Sequence, residues 1–516
     1  MTLHYHCFPN LYKDSVSLMQ VSAKLNALEG VEQASVAMAT AANIERMRDA
    51  GMPITLEARP NDLLIALLAD DETAKQALTL AGELLSPPAA TENTEGTTRR
   101  PATSIAAGVG ASAQANLALI SVPGSYAAAE ALKALSAGLH VMLFSDNVPE
   151  EQEAAIKQYA REHNLLVMGP DCGTAIINGM PLGFANVVRR GAIGLVAASG
   201  TGLQEVSCRI HHLGEGVSQA IGTGGRDLHE EIGGLSMLQG IAMLADDPET
   251  QLIALISKPP SPAIMEKVLE SARQCGKPVV AHFLGTSEAT LLTYGIIPAH
   301  SLQHAADIAV ATLRGETAAA SHSLPEALRQ QAVQSIREMT AEQTDIRGVF
   351  AGGTFCYEAQ LALQAAGLSC ESNAPVTGAR ALQDKHHGHG HSLVDMGDDE
   401  FTQGRPHPMI DPELRNARLL SEALDPRTAV LLFDIVLGYG ASTEPCSALL
   451  PIIEEIQRIE AAEQRHIVLL AHVCGTDTDP QDRAQQITLL QSAGVLVADS
   501  NIEAARLAAF IAQQRK

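Results

Sequence analysis

The sequence contains no tryptophan, and aromatic residues fill only 3% of its 516 positions, so its cores must be built from aliphatic side chains. Positive charge is scarce as well. Thirty-five Lys and Arg stand against 59 Asp and Glu, a formal charge of −24 with histidine neutral. A sequence-independent grip on nucleic acid or an anionic membrane needs a basic face, so neither is an expected partner, and any phosphate must be held by local donors. No stretch reaches the ~18 uninterrupted apolar residues of a membrane span. The opening MTLHYHCFPNLYKDS has no basic region leading into an apolar core, and a cytoplasmic location is expected. The eight cysteines, 7, 172, 208, 275, 356, 370, 446 and 474, include no C-x-x-C pair. That is the usage of reduced thiols in a large intracellular protein, so neither disulfides nor a structural metal are expected. The sequence also lacks G-x-x-x-x-G-K-[ST] and a clean G-x-G-x-x-G, which leaves P-loop ATP binding and the nicotinamide fingerprint without support.

What is present is apolar material at 46%, 41 glycines and enough length for three or four domains. Residues 1–88 read strand, helix, strand, helix, strand, helix, from HYHCF to ETAKQALTLAGELL, the pattern of a small ferredoxin-like α+β module. SPPAATENTEGTTRRPATS is a linker by composition. Short apolar strands then alternate with helices of ten or more residues, which predicts α/β units with parallel sheets. The boundaries fall at 103–190, a Rossmann-like unit, and at 191–316 and 345–516, two flavodoxin-like units. The last two share an opening, GLVAASGTGLQEVSCRI at 194–210 and GVFAGGTFCYEAQLAL at 348–363, where a strand runs through small residues into a helix.

Small residues at such a turn let backbone approach a ligand, and the first N–H groups of the helix point at it with the positive end of the dipole. Ser199, Gly200 and Thr201 have this character, as do Gly352, Gly353 and Thr354. Each set is equally a tight strand-to-helix connection. The two are expected to face one another and bracket a single dianion, within a range where remote surface charge is screened.

The run from GPDCGTAIING (Gly169 to Gly179) through AIGLVAASGTGLQE (Ala192 to Glu205) to IGTGGRDL (Ile221 to Leu228) resembles the α subunit of succinyl-CoA synthetase. FAGGT and LVDMGDD resemble the carboxy-terminal domain of that enzyme's β subunit. Together with DSVSLM, VMLFSDNV, SKPP and GRPHPMIDP, nearly the whole chain resembles the FdrA-type acyl-CoA synthetase-like proteins. The resemblance implies a CoA-binding-type domain before Gly169, with Val122, Pro123 and Ser145 at its strand ends, and puts the two glycine turns at phosphate-facing helix starts. Glu205 falls where the synthetase has a glutamate that steadies its phosphorylated histidine. The G-H-A-G-type loop of that histidine is missing after PVVAHFLG, and so is an ATP-grasp portion. The resemblance therefore implies a subunit that transfers a carbamoyl or acyl group to or from inorganic phosphate, as in oxamate carbamoyltransferase, alongside partner subunits in a homo-oligomer or hetero-complex. An acyl-CoA ligase that borrows ATP chemistry from a partner is the alternative, and a non-catalytic subunit that binds CoA or phosphate is a third.

Other residues carry two readings each. His386, His387, His389 and His391 have the density of a metal site or of a solvated Gly-rich loop. Asp395, Arg405, His407 and Asp411 are candidate substrate-side groups or parts of a Pro-braced turn, with Arg405 suited to fork onto a carboxylate and His407 to pass a proton near neutral pH. Cys172 is a nucleophile or a packing group. Arg226 and Asp227 meet a phosphate and an N–H, or each other. Lys258 ends a strand, where ligand-facing residues of open α/β sheets sit.

Overall fold

A computed structural model describes residues 2–11, 13, 15–55, 58–85, 102–112, 114–318, 324–402 and 406–515. The linker expected around 86–101 lies outside them.

The first module has three strands, with Leu63–Ala69 between Thr2–Phe8 and Val31–Met38 and antiparallel to both. Successive side chains of a strand point to opposite faces, and the central LLIALLA uses both. Leu63, Ile65 and Leu67 pack on the helices Ser15–Asn26 and Asp71–Leu85, while Leu64 and Ala66 join Met47, Met52 and Ile54 behind the sheet. This is the split βαβ arrangement of a ferredoxin-like fold.

Next come three short parallel strands, Leu117–Ile120, His140–Leu143 and Val167–Met168, linked by the helices Gly124–Ser136 and Glu150–Glu162. The chain leaves this sheet at the cis Gly169–Pro170 bond. The hairpin Thr174–Ile177 and Met180–Gly183, which the alternation of strands and helices assigns to the unit ending at 190, extends the following sheet instead, with Ile176 opposite Ala220 and both buried.

That following sheet orders its parallel strands as Ile297–Pro298, Val279–Phe283, Leu252–Ser257, Arg190–Ala197 and Val217–Gly222. The third α/β sheet orders Leu496–Ala498, Val468–Cys474, Thr428–Val436, Asp345–Phe350 and Ser392–Asp395 the same way, with two short strands beyond. Numbered along the chain, both are 2-1-3-4-5, the flavodoxin-like order. Their strands are continuous apolar runs because helices cover both faces.

The two units share one core. The helices Gly200–His212 and Leu302–Arg314 of the first lie against Gly353–Ala365 and Asn501–Gln513 of the second, and Leu203, Val206, Ala305, Phe355, Ala359, Ala504 and Ala508 form one buried cluster. Helices apolar on most sides belong between layers, and their alanines let the axes approach closely. This packing brings the openings of the two first helices to the same place. Among the described residues no helix is long and apolar enough to cross a membrane.

Candidate functional site

Open α/β sheets bind ligands beyond the carboxyl ends of their strands, near the point where strand order reverses. There the chain forms a cavity of about 470 Å³ that all four modules line. Ser199, Gly200 and Thr201 come from one flavodoxin-like unit and Gly353 and Thr354 from the other, with Val122, Pro123 and Ser145 from the Rossmann-like unit and Met19, Val36 and Met38 from the first module.

The two glycine turns meet. Ser199 Oγ lies 2.5 Å from Thr354 Oγ1, and a Cβ on Gly352 would come within 3.0 Å of Thr201. Ser199 is the N-cap of Gly200–His212 and accepts the Gly202 N–H at 2.9 Å, so its hydroxyl proton remains for Thr354 or a ligand. The second helix has no capping side chain at Gly352. Its turn is held by the fully buried Asp434 carboxylate, which accepts from Ala351 and Gly352 at 2.6 and 2.7 Å. Gly352 is buried behind this contact, while the N–H groups of Gly353 and Thr354 fall in the first turn, which has no intrahelical acceptor.

The charges around this point are mostly negative. Among the described lining residues Lys258 is the one lysine or arginine, against Asp146, Asp171, Asp395 and Asp399. Asp395 ends its strand beside the second turn, where a Cβ on Gly353 would lie 2.4 Å from its Oδ2. Burial pushes the Asp395 carboxyl up to about 7, against the pull of Lys258 and the Gly397 N–H. Asp171 is also raised to about 7, by desolvation and then by Asp146 and Asp399, but it faces open solvent, which weakens that effect. Asp395 is thus the carboxyl that gains a proton near neutrality beside a dipole end.

His407 lines the cavity from the third α/β unit. Its Nδ1 accepts from the Met409 N–H, which leaves Nε2–H as a donor. Proton transfer near neutral pH, expected from histidine's ordinary range, does not fit the structure: desolvation pushes His407 down to about 4, so it stays neutral. Arg405 lies outside the described residues.

Glu205 is not in the cavity wall. It points away from Ser199 along the same helix, is 4% exposed and binds His472 Nε2 at 2.6 Å. Ser145 Oγ donates to the Val122 carbonyl at 2.5 Å. Cys172 Sγ lies near the Thr174 and Gly222 carbonyls, and desolvation pushes its thiol up to about 12, the state of a packing group. Arg226 pairs with Glu153 at 2.9 Å, and Asp227 with the buried Lys157 at 2.8 Å, so neither is directed at a ligand. His386, His387 and His389 are exposed, and His391 accepts the Ile346 N–H. Asp411 accepts the Glu413 N–H outside the cavity.

A CoA-ligase family model matches residues 349–511, a CoA-binding-domain model matches 189–285, and a model described as AllF, heavy metal-associated domain, matches 1–101. The CoA-binding match falls downstream of 103–190, the segment expected to carry that domain. YahF of Escherichia coli (strain K12) is 46% identical over 508 residues, covering 97% of this chain and 96% of YahF. The succinate–CoA ligase [ADP-forming] α subunit of Aquifex aeolicus is 32% identical over 180 residues, 33% of this chain and 57% of that subunit, so the chain spans just over half of that relative. An ATP citrate lyase from Methanothrix soehngenii, solved with citrate and coenzyme A, covers 80% of this chain and 83% of its own at 14% identity, with a TM-score of 0.34. With YahF matched from end to end and the ligase α subunits matched in part, the chain belongs to the acyl-CoA synthetase-like family related to succinate–CoA ligase.

Proposed function

We propose that this chain is the acyl-transferring subunit of an acyl-CoA ligase, working with a partner that supplies the ATP-dependent step. The observation that carries this reading is the meeting of two helix starts, through Ser199 and Thr354, in a cavity that the Rossmann-like unit also lines. An acyl phosphate suits the place. Its phosphoryl group lies over Gly200, Thr201, Gly353 and Thr354, where N–H and hydroxyl donors stabilise the charge that develops as it leaves. The CoA thiol attacks the acyl carbon, the C–O bond to phosphate breaks, and the thiol proton goes with the departing phosphate or to water. His407, neutral and donating through Nε2, orients the acyl end, and protonated Asp395 removes a repulsive charge beside the phosphate. CoA enters along Val122, Pro123 and Ser145.

Calorimetry on the intact chain tests this. Inorganic phosphate and CoA each bind, ATP does not, and acetyl phosphate with CoA yields acetyl-CoA in a reaction that Ser199→Ala and Thr354→Val slow. Binding of ATP without binding of CoA contradicts the reading.

A second reading is favoured by one feature: residues 284–299, which follow the strand Val279–Phe283, contain no histidine. Without a covalent carrier, a free phosphate oxygen in the same cavity attacks the carbamoyl carbon of a donor such as oxalurate, the carbamoyl C–N bond breaks, and carbamoyl phosphate forms as oxamate leaves with the proton given up by phosphate. CoA-independent, phosphate-dependent cleavage of oxalurate selects it.

A further inference from the structure

Behind the cavity, where the two flavodoxin-like units pack together, Glu205, His472 and Cys474 offer a carboxylate oxygen, an imidazole nitrogen and a sulfur that all lie within 4.8 Å of one another, and all three residues are buried. Among the described residues this is the one group so placed. A fourth donor adjoins it, since the Cys208 thiol lies against that of Cys474 and is also buried. The spacing follows from secondary structure. Glu205 and Cys208 stand three apart on the helix Gly200–His212 and share a face, and His472 and Cys474 stand two apart on the strand Val468–Cys474 and share a side. Each unit thus contributes two donors. His472 is 2% exposed, and its Nδ1 makes no hydrogen bond. A buried imidazole nitrogen without a partner is costly, and a metal bound at Nδ1 would remove that cost, whereas one bound at Nε2 would replace the contact with Glu205.

We propose that Glu205, Cys208, His472 and Cys474 form a structural zinc site joining the two units. A donor set of two sulfurs, one nitrogen and one oxygen, closed to solvent, suits tetrahedral Zn²⁺. Bonds of about 2.0–2.3 Å give ligand–ligand distances of about 3.3–3.8 Å, so binding widens the 2.6 Å contact between Glu205 and His472 and draws in Cys208, which lies outside the group of three. Loading balances: the ion displaces one proton from each thiol and one from the imidazolium that otherwise pairs with Glu205, three in all, leaving a bound cluster of charge −1. Because Glu205 and Cys208 lie on the helix that begins at Ser199, the ion fixes that helix relative to the second unit. The pattern E-x-x-C with H-x-C lacks the C-x-x-C pair by which zinc sites are ordinarily found in sequence.

Elemental analysis of the full chain, expressed with zinc and dialysed, tests this. The expected result is about one zinc per chain, falling at least tenfold in both Cys208→Ser and Cys474→Ser and unchanged in Cys7→Ser, which controls for binding by the first module. Should the cysteine variants fail to fold, cobalt added to the zinc-free parent chain gives an intense thiolate-to-cobalt absorption band if the site is right. No metal in the parent chain together with no such band overturns the proposal. Zinc that survives in both variants, or is lost in Cys7→Ser, overturns it as well.

Discussion

Removing the Ser199 hydroxyl separates a phosphate site from a mere clasp between units. That hydroxyl caps the helix Gly200–His212 and touches Thr354 at 2.5 Å across the junction. Ser199→Ala loses the cap, about 1 kcal/mol, and one hydroxyl pair, also about 1 kcal/mol, so the fold weakens by about 2 kcal/mol whichever role the contact has. Phosphate affinity is the distinguishing quantity. A hydrogen bond to a charged group contributes about 1.5–3 kcal/mol, which corresponds to a Kd about 12- to 140-fold weaker. Thr354→Val is the companion, because it keeps shape and is no N-cap, and it weakens phosphate as much while disturbing the fold less. Calorimetry at fixed pH measures affinity, and denaturant unfolding measures stability. If both variants bind phosphate within twofold of the parent while stability falls, the pair is structural and the anion site is refuted.

Three further expectations follow from the same geometry. Gly353→Ala places a methyl 2.4 Å from Asp395 Oδ2; overpacking of this kind costs about 1–3 kcal/mol, so acyl transfer drops steeply, and a variant with parental kinetics contradicts the placement of Asp395. Asp434→Asn leaves one of two buried N–H donors, Ala351 or Gly352, unpaired and lowers stability by about 2 kcal/mol, which thermal unfolding checks. Asp395, raised from 3.8 to about 7, holds its proton more tightly folded than unfolded, so it costs stability progressively as pH rises from about 4 to about 7 and not below. The same ionisation repels an anion. Sulfate, whose charge is constant over this range, therefore binds more weakly at pH 8 than at pH 6, and Asp395→Asn abolishes the difference; an unchanged pH profile in that variant removes Asp395 from the site.

The parallel α/β character of the sheets was legible because apolar strands alternate with long helices, and both glycine turns were visible as small residues between a strand and a helix. That the two turns face one another was expected, but the pair that joins them was not, since Ser199 and Thr354 are 155 residues apart and meet through the packing of Phe355 against helices of the other unit. Asp434 had a signal, an acid inside the otherwise apolar LLFDIVLG, whose cause is the pair of N–H groups it caps. His407 misled, because the ordinary titration range of histidine says nothing of the desolvating wall around it. The wall supplied by Met19, Val36 and Met38 had no local signal, for apolar residues on a helix and a strand read as core wherever they point. Glu205 was legible as a position but not as a partner of His472, 267 residues away.

The most direct measurement is a crystal structure of the full chain soaked in inorganic phosphate. One tetrahedral density feature is expected over the joined helix starts, within hydrogen-bond reach of the Gly200, Thr201, Gly353 and Thr354 amides, with the Ser199 hydroxyl turned toward it. Phosphate bound elsewhere, with those four amides left to water, contradicts this expectation.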